Sequence, residues 1–147
     1  MNCKVIIGNK YNDLYNFINK IISNEKIIII YCGHGNINKW EIGISKEKLL
    51  LLLNKIDNEI LIISDSCYGD SMNITKERKN TNFISSARSE GKDEHLSAYF
   101  TCEGGYLSTT FYKVFHTDDS IKLLYDKILC NYYFDNKDDL HLPKLFY

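Results

Sequence analysis

Two stretches of this chain are apolar with no alternation, Ile27–Tyr31 and the body of Glu59–Ser64. Each stops on a short turn that carries glycine and a reactive side chain. A strand that is apolar at every position is buried on both faces, which is how parallel strands behave under crossover helices. The flanking segments carry the matching helical period. Tyr11–Ile22 places Leu14, Phe17, Ile18, Ile21 and Ile22 on one face, with Asn12 or Asn9 as its cap. Ser45 opens a second helix whose apolar body is Leu49–Ile56. Lys4–Ile7 and Asn82–Ala87 read as further short strands, Leu107–Phe115 and Ser120–Asn131 as helices, and His141–Tyr147 as a terminal extended segment. Met72–Asn82, polar and charged, reads as a surface loop. The pattern is α/β with a mostly parallel sheet.

At 147 residues the chain suits one domain, and a domain of this size buries roughly 70% of its unfolded surface. The net charge of −1, with 16 of 18 basic residues being lysine, gives no basic face for nucleic acid and almost no planar arginine for phosphate. No apolar run approaches the about 18 residues of a membrane span, and Met1–Lys10 lacks a signal-peptide layout. Five scattered cysteines, Cys3, Cys32, Cys67, Cys102 and Cys130, form no C-x-x-C pair. They suggest reduced thiols in a cytoplasm-like compartment.

Ligands of an open α/β sheet lie beyond the carboxyl ends of its strands. Here one strand ends at Cys32-Gly33-His34-Gly35 and the next at Asp65-Ser66-Cys67. Neighbouring strands run about 5 Å apart, so adjacency brings His34 and Cys67 to one edge. A free thiol has a pKa of about 8.5, so a nucleophilic cysteine at neutral pH needs an imidazole or a positive field beside it. The backbone amides of Gly35 and Cys67 are the natural donors to an oxyanion at that edge. Asp65, two residues before Cys67, projects to the same side and favours a cationic group near the thiol. It also suits a helix cap or a turn. No P-loop, H-E-x-x-H or Cys/His zinc spacing is present. The acids Asp118-Asp119 and Asp135, Asp138 and Asp139 lack EF-hand spacing.

Tyr31-Cys32-Gly33-His34-Gly35 resembles the Y-S-G-H-G histidine motif of caspase-like cysteine peptidases. Asp65-Ser66-Cys67-Tyr68 resembles the D-x-C nucleophile motif of their metacaspase and orthocaspase branch. Phe83–Arg88, Gly104–Ser108 and His141–Leu145 are similar, in the same order, to later segments of that fold. The resemblance implies a caspase-like (caspase–hemoglobinase) α/β/α sandwich over residues 1–147. Residues 1–72 then match the large-subunit part, 73–82 a connecting loop and 83–147 the small-subunit part. It implies an endopeptidase cutting after Arg or Lys, with His34 and Cys67 catalytic and Asp65 in the pocket for the basic side chain.

Ser86 and Glu90 follow as further pocket residues, with Asp93 or Glu94 as alternatives to Glu90. Lys76, Arg78 and Lys79 become a basic, exposed candidate for self-cleavage. No cofactor is required, and calcium, which some relatives need, has no motif here. Two departures stand out. The family usually has D-x-C-x-S-G where this chain has Gly69-Asp70 after Tyr68. Lys4–Ile22 also resembles the family's second strand and helix, which by the resemblance would leave the usual first strand and helix missing. That opens three further expectations: a homodimer, association with a related protease, or a non-catalytic module that binds such a protease or its substrate as a decoy. A flavodoxin-like anion-binding domain is the alternative outside the family.

Overall fold

The computed structural model describes residues 10–22, 24–86, 100–101, 104–135 and 142–147. In chain order they form α1 (Tyr11–Ile18), β1 (Ile27–Cys32), β2 (Gly35–Asn36), β3 (Lys39–Trp40), β4 (Ile44–Ser45), α2 (Lys46–Leu53) and β5 (Ile60–Asp65). After a 3₁₀ turn at Gly69–Met72 come β6 (Thr81–Ser85), β7 (Phe100–Thr101), β8 (Gly104–Gly105), α3 (Tyr106–Val114), α4 (Ile121–Phe134) and β9 (Lys144–Phe146). The main sheet has the order β1-β5-β6-β9, parallel across β1, β5 and β6 and antiparallel at β9. The α/β class and the mostly parallel sheet read from the sequence are what the chain adopts.

The period of two in the strands splits the core into two layers. Ile27, Ile29, Tyr31, Ile60, Ile62 and Phe83 pack with Ile18 of α1 and Leu49, Leu52 and Leu53 of α2. Leu61, Ile63 and Ile84 face the other way, against Leu107 and Phe111 of α3 and Leu124, Ile128 and Tyr132 of α4. Every residue of β5 is buried. Burying Ile60, Ile62 and Ile63 contributes about 1.5–3 kcal/mol each, more than the whole span of strand propensity of about 1 kcal/mol. Burial on two faces therefore decides that this segment is the central strand. Ser45 and Ser120 cap α2 and α4, their hydroxyls accepting the amides of Lys48 (3.3 Å) and Leu123 (3.2 Å).

The sequence reading needs four adjustments. Helix α1 stops at Ile18 rather than Ile22, because Asn19 and Lys20 close it with a tight turn. Beyond it the Asn58 side-chain amide takes the carbonyls of Ile22 and Glu25. Its N-cap is Lys10, with Asn12 inside the first turn. Residues 72–82 are a surface loop only in part: Lys76, Glu77, Lys79 and Asn80 are exposed, but Met72, Ile74 and Arg78 are buried. Finally, β2, β3 and β4 form a small antiparallel sheet after His34, too short for any alternation to announce it. The expected strand Lys4–Ile7 lies outside the described residues. Among those residues no helix is long and apolar enough to cross a membrane.

Candidate active site

The parallel pair β1 and β5 sets the geometry. Cys32 is the register partner of Asp65, and the Gly33 amide donates to the Asp65 carbonyl at 3.2 Å, carrying the ladder one residue past the strand. The two turns then touch. A Cβ built on Gly35 would stand 2.4 Å from the Cys67 carbonyl oxygen and 2.9 Å from Ser66 Oγ. Only glycine allows that approach. His34, exposed, and Cys67, partly exposed, therefore sit on adjoining turns at the carboxyl edge of the sheet.

Each turn is held from below. The His34 carbonyl accepts the Tyr31 hydroxyl at 2.6 Å and the Glu41 amide at 3.1 Å. The Tyr31 ring stacks on Trp40 with centroids 4.6 Å apart. Trp40 Nε1 donates to Ser64 Oγ at 3.0 Å, and Ser64 Oγ lies 3.2 Å from Ser66 Oγ, just before the thiol. Nearer the surface the Asn38 amide donates to Ser71 Oγ (2.8 Å), which donates to the Tyr68 carbonyl (2.7 Å).

Past Cys67, Tyr68 takes φ 54° and ψ 26°, a left-handed conformation costing a bulky residue on the order of 1–2 kcal/mol. Gly69 closes the turn onto the Ser66 carbonyl at 3.1 Å. The Cys67 amide donates to no backbone carbonyl among the described residues, and Gly35 is paired with Trp40 in the small sheet.

Asp65 differs from expectation in its surroundings. It is fully buried on the α3 side of the sheet, where Oδ2 accepts the Ser108 amide at 2.7 Å, the third residue of α3. The cap role left open by the sequence is thus realised across 43 positions. Gly105 makes room, since a Cβ there would meet Asp65 Oδ2 at 2.1 Å and Cys32 Sγ at 2.9 Å. Asp65 Oδ1 has no hydrogen-bond partner among the described residues. Burial pushes the carboxyl above its usual range, and the Ser108 amide pulls it partly back. Burial also raises the Tyr132 phenol, helped by the Asp65 charge.

A raised native pKa means that the folded chain keeps this proton to higher pH than the unfolded chain does. The associated stability is complete below the ordinary value of 3.8 and is lost as pH rises through the raised one. Asp65→Asn, which keeps an oxygen for the Ser108 amide, should remove that decline. Urea titrations of both proteins from pH 4 to 8 test this, and a wild-type minus variant difference that stays flat over the range counts against a buried proton.

Of the other expected residues, Ser86 is buried beside Asp65 and its amide donates to the Ser64 carbonyl at 3.1 Å. Glu90, Asp93 and Glu94 lie outside the described residues. Lys76 and Lys79 are exposed, but Arg78 is not available for cleavage in the folded chain. Its guanidinium is buried among backbone carbonyls, because the ends of α2 and the entries to β5 and β6 need donors there. Sequence reasoning gave no site role to Trp40, Ser64, Gly105 or Ser108. The single tryptophan six residues after His34 and the glycine pair before α3 were the available signals.

Cys32, Cys67 and Cys130 are free thiols. Among the described residues no group of three or more His, Cys, Asp or Glu is placed to hold a metal ion. No protein-family model matches the chain, and no curated protein matches it significantly.

Proposed function

We propose that this chain is a metacaspase-like cysteine endopeptidase of caspase-like fold that cleaves after Arg or Lys. The observation that carries the reading is the contact of the two strand-end turns, with Gly35 against the Cys67 carbonyl and a histidine and a thiol on either side. Supporting it are the parallel β1-β5-β6 order with its antiparallel closing strand and the accessibility of both side chains.

In this reading His34 takes the thiol proton, and the Cys67 sulfur attacks the scissile carbonyl carbon. The amides of Gly35 and Cys67 hold the developing oxyanion. His34 returns the proton to the leaving amine as the C–N bond breaks, leaving a thioester. Water, deprotonated by His34, then attacks that thioester, releases the acid and restores the thiol. The resemblance makes Asp65 the acceptor for the basic side chain before the cut. Because the carboxyl is buried against the amino end of α3, that contact requires the end of α3 to move aside and expose Oδ1. The chemistry needs no cofactor, and a thiol nucleophile suits a reducing compartment. The substrate is a protein or peptide carrying a basic residue.

The test is turnover of short peptides ending in Arg, Lys or Asp, together with labelling by an arginine-directed thiol-reactive inhibitor. Cleavage of the Arg and Lys peptides, with label mapped to Cys67 by mass spectrometry, is the expected result. No turnover and an inert Cys67 would overturn it and leave a caspase-like binding module as the working reading.

A further inference from the structure

The small sheet that follows His34 is bonded directly to the strand that precedes Cys67, and the bond is buried. Trp40 is 1% exposed and Ser64 and Ser66 are 0% exposed. Trp40 Nε1 reaches Ser64 Oγ at 3.0 Å, and Ser64 Oγ and Ser66 Oγ lie 3.2 Å apart. Ser66 in turn supports Gly35, whose missing Cβ would stand 3.0 Å from Ser66 Cβ. Tyr31 closes the ring of contacts by stacking on Trp40 while its hydroxyl holds the His34 carbonyl.

The path therefore runs from the His34 backbone through Tyr31, Trp40, Ser64 and Ser66 to the residue before the thiol. Apolar packing alone would serve the core here at lower cost. A buried indole N–H and two buried hydroxyls each carry a desolvation penalty that only fixed partners offset. Such a chain specifies one arrangement, because a slip of either turn breaks its hydrogen bonds.

We infer that Trp40, Ser64 and Ser66 form a positioning strap that fixes the separation of the His34 and Cys67 turns. The inference rests on the dyad reading, since it is the imidazole–thiol geometry that the strap would set. None of the three residues touches substrate in this scheme. Their effect passes through the backbone of Gly35 and Cys67.

Ser64→Ala leaves the indole N–H without its acceptor, whereas Ser64→Thr keeps a hydroxyl in place. For the wild type we expect iodoacetamide alkylation at neutral pH, followed by mass spectrometry, to be faster at Cys67 than at the exposed free thiol of Cys130. In Ser64→Ala the Cys67 rate should fall toward that of Cys130. Cleavage by that variant should fall in kcat by about tenfold to a hundredfold, the scale of a 1 Å misplacement, with KM nearly unchanged. Ser64→Thr should restore both. Trp40→Phe, which removes the donor and keeps a ring against Tyr31, should repeat the alanine result.

The alkylation readout is taken well below each variant's melting temperature, so lost stability alone does not move it. A Ser64→Ala rate at Cys67 equal to a fast wild-type rate overturns the strap and leaves the peptidase reading standing. A wild-type rate at Cys67 no faster than that at Cys130 overturns the dyad reading and the strap together.

Discussion

Cys67→Ala should abolish cleavage of Arg and Lys peptides while leaving the melting temperature within about a degree of the parent. The thiol is the only group in the scheme that forms a bond to substrate, and alanine keeps the backbone amide proposed for the oxyanion. Cys67 is also only partly buried, so truncating it opens no closed cavity. Gly35→Ala should approach the same loss of activity by a different route. Its Cβ would stand 2.4 Å from the Cys67 carbonyl oxygen, a backbone atom that no rotamer change can move aside.

The two turns would have to separate by roughly an ångström, a displacement that costs about a hundredfold in rate at a positioned site. Overpacking adds about 1–3 kcal/mol of lost stability. Gly43→Ala is the control. Nothing lies within 4 Å of its Cβ, so it pays only for its φ of 87° and should leave turnover intact. Peptide turnover and thermal melts on the three variants decide the matter. Full activity in Cys67→Ala ends the assignment, and full activity in Gly35→Ala ends the argument from contact of the turns.

The parts of the chain that were legible in advance share one property, namely that local pattern and tertiary burial agree. The β5 run is apolar because both faces are covered. Strand β1 lies at the edge of the described sheet, with Ile27, Ile29 and Tyr31 buried and Ile30 46% exposed, so burial on both faces holds for β5 alone. Continuous hydrophobicity identified both strands, and their carboxyl ends located His34 and Cys67. Capping serines likewise announce themselves, because Ser45 and Ser120 act within three residues of their partners. What escaped was set by long-range pairing. Asp65 sits two positions from the thiol in sequence, yet its surroundings come from α3, 43 residues away. Burial there puts it out of solvent and pushes its carboxyl upward, a state that no spacing rule conveys.

The segment 72–82 misled for the same reason. Its apolar content is two residues, Met72 and Ile74, too few to show a period, yet both are fully buried. Its charges looked solvated because a sequence gives no sign that a guanidinium has six oxygens waiting for it.

Arg78 is where that hidden pairing carries the largest expected effect on stability. Nε donates to the Leu53 carbonyl at 3.2 Å, and Nη2 donates to the carbonyls of Ile56 (2.8 Å) and Asn58 (3.0 Å). Nη1 reaches the carbonyls of Lys79 (3.0 Å) and Asn80 (3.5 Å) and Thr81 Oγ1 (2.8 Å). These oxygens come from the end of α2, the approach to β5 and the approach to β6, so one side chain ties together the amino ends of two parallel strands. The end of a helix leaves carbonyls unpaired and slightly negative, which suits a cation. Burial lowers the Arg78 pKa and the charge of Asp57 acts the other way, but the group remains a cation at any working pH.

Arg78→Met keeps the aliphatic stem and strands those acceptors. Removing one side of a buried charged network costs about 3–5 kcal/mol, a large share of the roughly 5–15 kcal/mol that holds a domain together. Arg78→Lys should recover only part of it, because an ammonium cannot reproduce the planar fork. Lys79→Met, on the exposed neighbour, should stay within about 0.5 kcal/mol of wild type. Urea midpoints measure all three, and a shift below about 1 kcal/mol for Arg78→Met would show the network to be dispensable. The same burial makes a second readout available. Brief trypsin digestion of the folded chain should cut after Lys76 or Lys79 before it cuts after Arg78, and early cleavage at Arg78 would contradict the packing that ties β5 to β6.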